Sequence, residues 1–364
     1  MARRVRKHRV VESACFGLAL GFLMWFFLPV PQIPSVVRGQ IPTVKSLASA
    51  FGSISDRGIP TKEARRAHVL FVGDIMLDRN VAARTNASGD PAYPFEKLPP
   101  NWFDSFDYAV ANLEGVVTTQ RRSPDKGNVD FLFATTTPDL LKREGIDAVS
   151  QANNHSLDQS TIGYEDSVRR LRDGGLLVFG HQVQDDEIAL ATTTVNGLRL
   201  AFLGYNTTDN PLDRDAAAKD IAEAKAQADK VIVFMHWGIE YQDHPDSASI
   251  ELAHWLIDQG VDIVIGGHPH WSRGISSYKG HPIVWSLGNF IFDQDFSTDT
   301  QNGLTVALDV SDATTTIELL PISIIQSQPA LLEGDAKTKR LEYLASLSDA
   351  DVRDEVRAGV ISFP

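Results

Sequence analysis

The 364 residues contain one cysteine, Cys15, and it lies inside an apolar N-terminal stretch. The rest of the chain therefore holds no disulfide, no thiolate metal site and no cysteine nucleophile. An oxidising compartment is permitted by that scarcity without being indicated by it. Basic charge is short as well, with 34 Lys+Arg against 47 Asp+Glu and a net charge of −13. Beyond the first 13 residues, 29 basic side chains face 46 acidic ones, a balance of about −17. An acidic body excludes general nucleic-acid binding, which needs a basic face. No Gly-x-Ser-x-Gly elbow follows a strand, so a serine triad is a poor rival for the chemistry, and no P-loop is present. Internal repeats and low-complexity segments are also absent.

What remains is ordinary globular composition, 43% hydrophobic and 22% charged. It is enough for one large domain or two modest ones. A chain of this size buries roughly 75% of its unfolded surface, so its core needs no disulfide to hold it.

The N-terminus makes a topological statement. Residues 1–13 carry Arg3, Arg4, Arg6, Lys7 and Arg9. An uncharged apolar run follows at 14–30, just long enough for a ~30 Å hydrocarbon core at 1.5 Å per residue. The positive-inside rule keeps the basic end cytoplasmic and sends the body outward. A cleavable signal peptide is the rival reading. Its apolar region is usually shorter, and Pro29, Pro31 and Pro34 crowd the place of a cleavage site. The expectation is a single-pass anchor in the cell membrane with an extracytoplasmic body. Residues 31–66, rich in Pro, Ser and Gly, read as a linker, with room for a short amphipathic helix at 44–51.

Apolar runs then alternate with helix-length segments, and polar clusters end the runs. Val261, Ile263, Val264 and Ile265 precede Gly266-Gly267-His268-Pro269-His270. Such a run reads as a buried parallel strand, with the glycines expected to supply a tight turn. Imidazole is the commonest metal ligand and also titrates near neutral pH. Similar strands at 68–72, 107–111, 146–151 and 230–235 run into Asp74, Glu114, Asn153-Asn154-His155-Ser156-Leu157-Asp158 and His236. Each has a structural alternative: Asp74 as a helix or turn cap, the Glu114 segment as a turn, His236 as a core histidine. The 152–158 cluster has more polar chemistry than one turn needs. Helices are expected at 138–144, 162–173, 215–228 and 248–259, with a hairpin at 189–204 around Asn196-Gly197. Strands are expected at 282–286, 305–310 and 315–322, and a helical tail at 326–364. The alternation implies an α/β fold with a largely parallel sheet. Open sheets of that kind bind ligands at the carboxyl ends of their strands. Carboxylates, imidazoles and an amide oxygen gathered there suit Mn, Fe, Zn or a mixed pair of divalent ions. Two such ions a few Å apart can activate water and clamp a phosphoryl group.

Six motifs in order carry a family resemblance: Gly73-Asp74-Ile75-Met76-Leu77, Ala111-Asn112-Leu113-Glu114-Gly115, Ala152-Asn153-Asn154-His155, His236-Trp237-Gly238-x-Glu240-Tyr241, Gly267-His268-Pro269-His270 and Ser286-Leu287-Gly288-Asn289-Phe290. Over residues 67–325 the chain resembles the CapA (PgsA-like) poly-γ-glutamate capsule biosynthesis family, a branch of the calcineurin-like metallophosphoesterases. The resemblance implies a four-layer α/β sandwich with a dinuclear centre, carried outside the membrane on an N-terminal helix. By motif, it implies Asp74 and His270 on a first metal, Glu114 in the bridging position, and Asn154, His236 and His268 on a second. His155 would be the general acid, oriented by Asp158 or another carboxylate. The wider superfamily begins with Asp-x-His, and Met76 here replaces that imidazole with a weak, soft ligand. Two functions follow as expectations. One is metal-dependent hydrolysis or transfer on a phosphoester or on an amide of the polymer. The other is a non-catalytic, polymer-binding accessory subunit of a membrane capsule machine, working beside synthetase or export subunits.

Overall fold

Strand β1 (Arg66–Ile75) is buried on both faces from Val69 to its end, as a central parallel strand must be. Its side chains alternate between two separate apolar clusters, Val69 and Phe71 into one, Leu70 and Val72 into the other. The computed structural model describes residues 65–121, 129–180 and 189–364, all within one compact unit, Lys62–Pro364. The basic segment 1–13, the apolar run 14–30, nearly all of the 31–66 linker and the helix expected at 44–51 lie outside the described residues. Among the described residues no helix is long and apolar enough to cross a membrane.

After β1 come α1 (Arg79–Ser88), β2 (Tyr108–Leu113), short β3 (Val116–Val117) and β4 (Leu132–Phe133), α2 (Thr137–Glu144), β5 (Ala148–Ser150), α3 (Ser160–Asp173) and β6 (Leu177–Phe179). The chain continues through β7 (Leu190–Val195), β8 (Leu198–Asn206), α4 (Arg214–Gln227), β9 (Lys230–His236), α5 (Ser247–Gln259), β10 (Ile263–Gly267), β11 (Ile275–Tyr278), β12 (His281–Val284) and β13 (Asn289–Ile291). It closes with β14 (Asn302–Ser311), β15 (Thr315–Ile325), β16 (Gln328–Leu331), α6 (Gly334–Ser346), α7 (Arg353–Ala358) and β17 (Val360–Phe363).

Two mixed sheets result. The first has the order β16-β15-β14-β1-β2-β5-β6, with β13 joined to β1 and β17 to β15. The second has the order β11-β12-β10-β9-β8-β7. Its central strands β8, β9, β10 and β12 are parallel, as are β1, β2, β5 and β6 in the first. One apolar cluster joins facing side chains of the two sheets, Phe71 against Phe202 and Phe234. The opposite face of the first sheet packs on α2 and α3 through Leu141, Val168 and Leu171. The opposite face of the second packs on α4 and α5 through Ile221, Leu252 and Leu256. Residues in β9 follow the same alternation, Ile232 and Phe234 inward and Val231, Val233 and Met235 toward the helices.

The four predicted helices occur within about two residues of their expected bounds, because each has an apolar stripe and a clear stop. Gly145 and Gly260 end α2 and α5 in the left-handed conformation, and Asp246 caps α5 by accepting from the Ser249 N–H. Two expectations change. The linker does not extend to 66: Arg66 starts β1, and Arg65 pairs with Asp229 at 2.7 Å and with Asp312. The segment 326–364 holds the expected helix, α6, and a second, α7, but it is not a purely helical tail. It supplies β16 and β17 to the first sheet, and Leu344, Val356, Ile361 and Phe363 to the core between the sheets. Its strands are short and flank charged helices, so they lack a run long enough to read as strand. Helix α1 escaped sequence reading because only Val81 of its ten residues is buried.

Candidate metal centre

Register brings the polar strand ends together. In the first sheet Asp74 lies opposite Asn112 on β2 and Asn289 on β13. In the second, His236 lies opposite Gly267 on β10 and Asn206 on β8. Except for Asn289, the first residue of β13, both sets fall at the carboxyl ends of parallel strands, and the sheets face each other there. Asp74, Glu114 and His236 each offer one ligand atom within 4.8 Å of the others, and all three are buried.

Close approach of the backbone makes this possible. A Cβ on Gly73 would lie 2.0 Å from the Gly288 carbonyl oxygen, so β1 and the 286–290 turn touch backbone to backbone. The glycines of β10 serve the same purpose instead of the expected turn. A Cβ on Gly267 would sit 2.9 Å from Asp74 Oδ1. The left-handed conformations fall on His268 (φ 89°) and His270 (φ 59°) themselves. Such geometry costs on the order of 1–3 kcal/mol per non-glycine residue and persists where surroundings over-determine it, commonly at functional sites.

Every sequence-predicted site residue arrives at this cleft. Asp74 Oδ1 accepts from Asn112 Nδ2 at 2.8 Å, and Oδ2 accepts from the His268 N–H at 3.3 Å. His236 Nε2–H donates to Asn154 Oδ1 at 2.8 Å. The His236 and His268 rings are 4.8 Å apart. His270 Nδ1 is 3.8 Å from Asp74 Oδ2 and donates to Asn289 Oδ1 at 2.9 Å. His155 Nδ1–H donates to Asp158 Oδ2 at 2.8 Å, which leaves Nε2 at 3.9 Å from Glu114 Oε1. Asp158 also accepts from the Phe131 N–H at 2.6 Å, and the Phe131 ring lies 4.0 Å from the His155 ring. Met76 is fully buried, and its sulfur accepts from the Asp78 N–H at 3.1 Å.

The electrostatics are those of a cation site. Neither oxygen of Glu114 has a hydrogen-bond partner, nor does His268 Nδ1, although all three atoms are buried. An uncompensated buried carboxylate costs several kcal/mol. Burial, with Asp74 beside it, raises the Glu114 pKa well above the usual range. Burial pushes Asp74 up to about 7 against the opposing hydrogen bonds from Asn112 and His268. Burial likewise lowers His268 to about 4, His270 to about 3, and His236 well below its ordinary value. Neutral imidazoles, orphaned acceptors and strand-end carboxylates fit a divalent metal ion without rearrangement of the elements.

Residues 68–294 match the family described as bacterial capsule synthesis protein PGA_cap. The chain belongs to that family. Among PGA_cap relatives, it is 29% identical to the PGA biosynthesis protein CapA of Bacillus subtilis strain 168, over 89% of this chain and 90% of that one. It is 30% identical to the capsule biosynthesis protein CapA of Bacillus anthracis, covering 82% of this chain and 78% of that one. Among solved structures it is similar to a novel phosphatase from Mycoplasma pneumoniae, at 13% identity and TM-score 0.42, covering 74% and 92% of the two chains.

Sequence reading placed Asn153 in the 152–158 cluster without giving it a role, and gave Asn112 none. Asn153 Nδ2 donates to Asn112 Oδ1 at 3.0 Å, which turns Asn112 Nδ2 toward Asp74. Both stand inside the motifs, Asn153 next to Asn154 and Asn112 two residues before Glu114, and that proximity was the available signal. Above the centre opens a cleft of about 500 Å³, lined by Arg79, Phe131, His155, Glu240, Tyr241 and Gln294 among others.

Proposed function

We propose that the protein is a membrane-anchored, extracytoplasmic component of poly-γ-glutamate capsule synthesis or export. In this reading it has a metallophosphoesterase-type sandwich with a hydrolytic metal centre. Its substrate would be a phosphoester or an amide bond of the polymer. The observation that carries the reading is Glu114, a fully buried carboxyl with two unpartnered oxygens between Asp74 and His236. Asp74 and His270 would hold one divalent ion, and Asn154, His236 and His268 a second, with Glu114 between them. When bound, ions of this class polarise the scissile group and lower the pKa of water.

The chain's own residues do the rest. Asp158 accepts from His155 Nδ1–H and fixes the imidazole so that Nε2 faces the cleft. A proton held at Nε2 passes to the leaving group, a role that contributes about 10²–10⁴-fold in rate. Phe131 packs on that ring and excludes water from its flank. Asn112 and Asn289 hold Asp74 and His270 in place by hydrogen bonds.

A second reading, the non-catalytic accessory subunit, is favoured by Met76. Its sulfur already accepts the Asp78 N–H, and it gives the first ion no imidazole. The deciding experiment measures metal content of the full chain purified without chelator, together with phosphodiester and phosphomonoester turnover in Mn²⁺. Near two ions per chain, with turnover abolished in His155→Ala at unchanged metal content, supports the enzyme. Bound metal without turnover on any phosphoester or on poly-γ-glutamate supports the accessory reading. No metal uptake overturns the centre.

A further inference from the structure

Glu240 has no part in the reading above, yet three independent ties hold it against the centre. Arg273 is 0% exposed, and its guanidinium meets backbone carbonyls on both sides of Glu240-Tyr241. Nη2 donates to the Ile239 carbonyl and Nε to the Gln242 carbonyl, each at 2.7 Å. Burying a guanidinium on neutral acceptors is costly, and what it secures is the position of this turn. The Tyr241 N–H donates at 3.0 Å to the Pro269 carbonyl, between His268 and His270. Tyr241 itself is left-handed (φ 57°), and its ring stacks on His270 at 5.8 Å.

The third tie sets the His270 tautomer. Asn289 Nδ2 donates to the Thr300 carbonyl and to Gln294 Oε1, and Gln294 Nε2 donates to the Tyr241 hydroxyl. With its amide nitrogen so occupied, Asn289 turns Oδ1 to the imidazole, and His270 must carry its proton on Nδ1. The lone pair is then on Nε2, and Glu240 Oε1 stands 4.0 Å from that atom. Two donors on one ion with bonds near 2.1 Å are separated by roughly 3.0–4.2 Å, for ligand–metal–ligand angles of 90–180°. Glu240 thus sits at the spacing of a co-ligand to His270, on the same ion for which Met76 supplies no imidazole.

We propose that Glu240 is a metal ligand beside His270 in the first site. The proposal rests on the metal-centre reading and assigns the position that Met76 leaves without a nitrogen donor. Arg273 is a positioning residue that presents the carboxylate.

The test titrates the metal-stripped full chain with Mn²⁺, followed by calorimetry and by electron paramagnetic resonance of the bound ions. Wild type, Glu240→Gln and His268→Ala are compared. The Glu240 side chain is 41% exposed, so the metal-free variant keeps the wild-type melting temperature. Expected for Glu240→Gln is one ion bound as in wild type and a second weakened by about 100-fold or more. The signal of a coupled pair gives way to that of an isolated Mn²⁺. Binding of both ions by Glu240→Gln within threefold of wild type, while His268→Ala loses an ion, overturns the assignment and leaves the centre standing. Failure of wild type itself to take up Mn²⁺ overturns the centre and the assignment together.

Discussion

Asp74→Asn in the metal-free protein gives a signed, pH-dependent test of the centre. Burial pushes the Asp74 carboxyl up from 3.8 in the unfolded chain to about 7 in the fold. A carboxyl raised in this way stabilises the fold only while protonated, and that contribution is lost as pH rises through 7. Relative to low pH, the buried aspartate destabilises the fold by about 2 kcal/mol at pH 5 and about 4 kcal/mol at pH 8. Asparagine removes this term. It also sets an amide nitrogen against either Asn112 Nδ2 or the His268 N–H, both donors. That mispairing costs about 1–3 kcal/mol and is the same at both pH values. The variant-minus-wild-type difference therefore moves in favour of the variant by about 2 kcal/mol between pH 5 and pH 8. That corresponds to about 4 °C in melting temperature. Scanning calorimetry of chelator-dialysed full chain reads it directly. Saturating Mn²⁺ reverses the order at pH 8, because only wild type gains ligand stabilisation, about 2.7 kcal/mol at 100 times Kd. A difference independent of pH would refute the claim that Asp74 is a buried, uncompensated carboxyl.

Two further outcomes follow from the same geometry. Asp74 and Glu114 are raised by burial and must ionise to bind a cation, whereas His236, His268 and His270 are already neutral at pH 6. Metal uptake therefore releases protons, and affinity rises with pH between 6 and 7, by up to about tenfold per pH unit for each proton released. Calorimetry in buffers of differing ionisation enthalpy counts the protons, and a count of zero would contradict the burial argument. Gly73→Ala drives a methyl into the Gly288 carbonyl across the strand-end contact. It lowers the melting temperature by about 4 °C or more and weakens metal binding, while an unchanged melt would show that the two backbones can part freely.

Much of this site was legible because parallel strands announce their ends. A continuous apolar run followed by Asp74, Glu114, His155, His236 or His268 places each side chain at the carboxyl edge of a sheet. That rule is local, so a sequence contains it. Asn112 and Asn289 stand inside motifs, but the contacts they and Arg273 make span chain separations that no local pattern reports. Asn289 orients His270 from a strand of three residues that pairs with β1, far away in sequence. The expected glycine turn failed for a related reason: Gly266 and Gly267 answer to close contacts with Trp285 and Asp74, not to their own backbone angles.

Periodicity and composition by themselves determined the α/β alternation, the acidic body and the set of donor types, since each depends only on neighbouring residues or on sums over the chain. Only the tertiary structure decided which donors share an ion-sized space, which nitrogen of His270 faces the cleft, and that residues 328–363 close the first sheet. Those outcomes depend on register between strands and on burial. Both are set when two sheets pack face to face, and neither is encoded in any one segment.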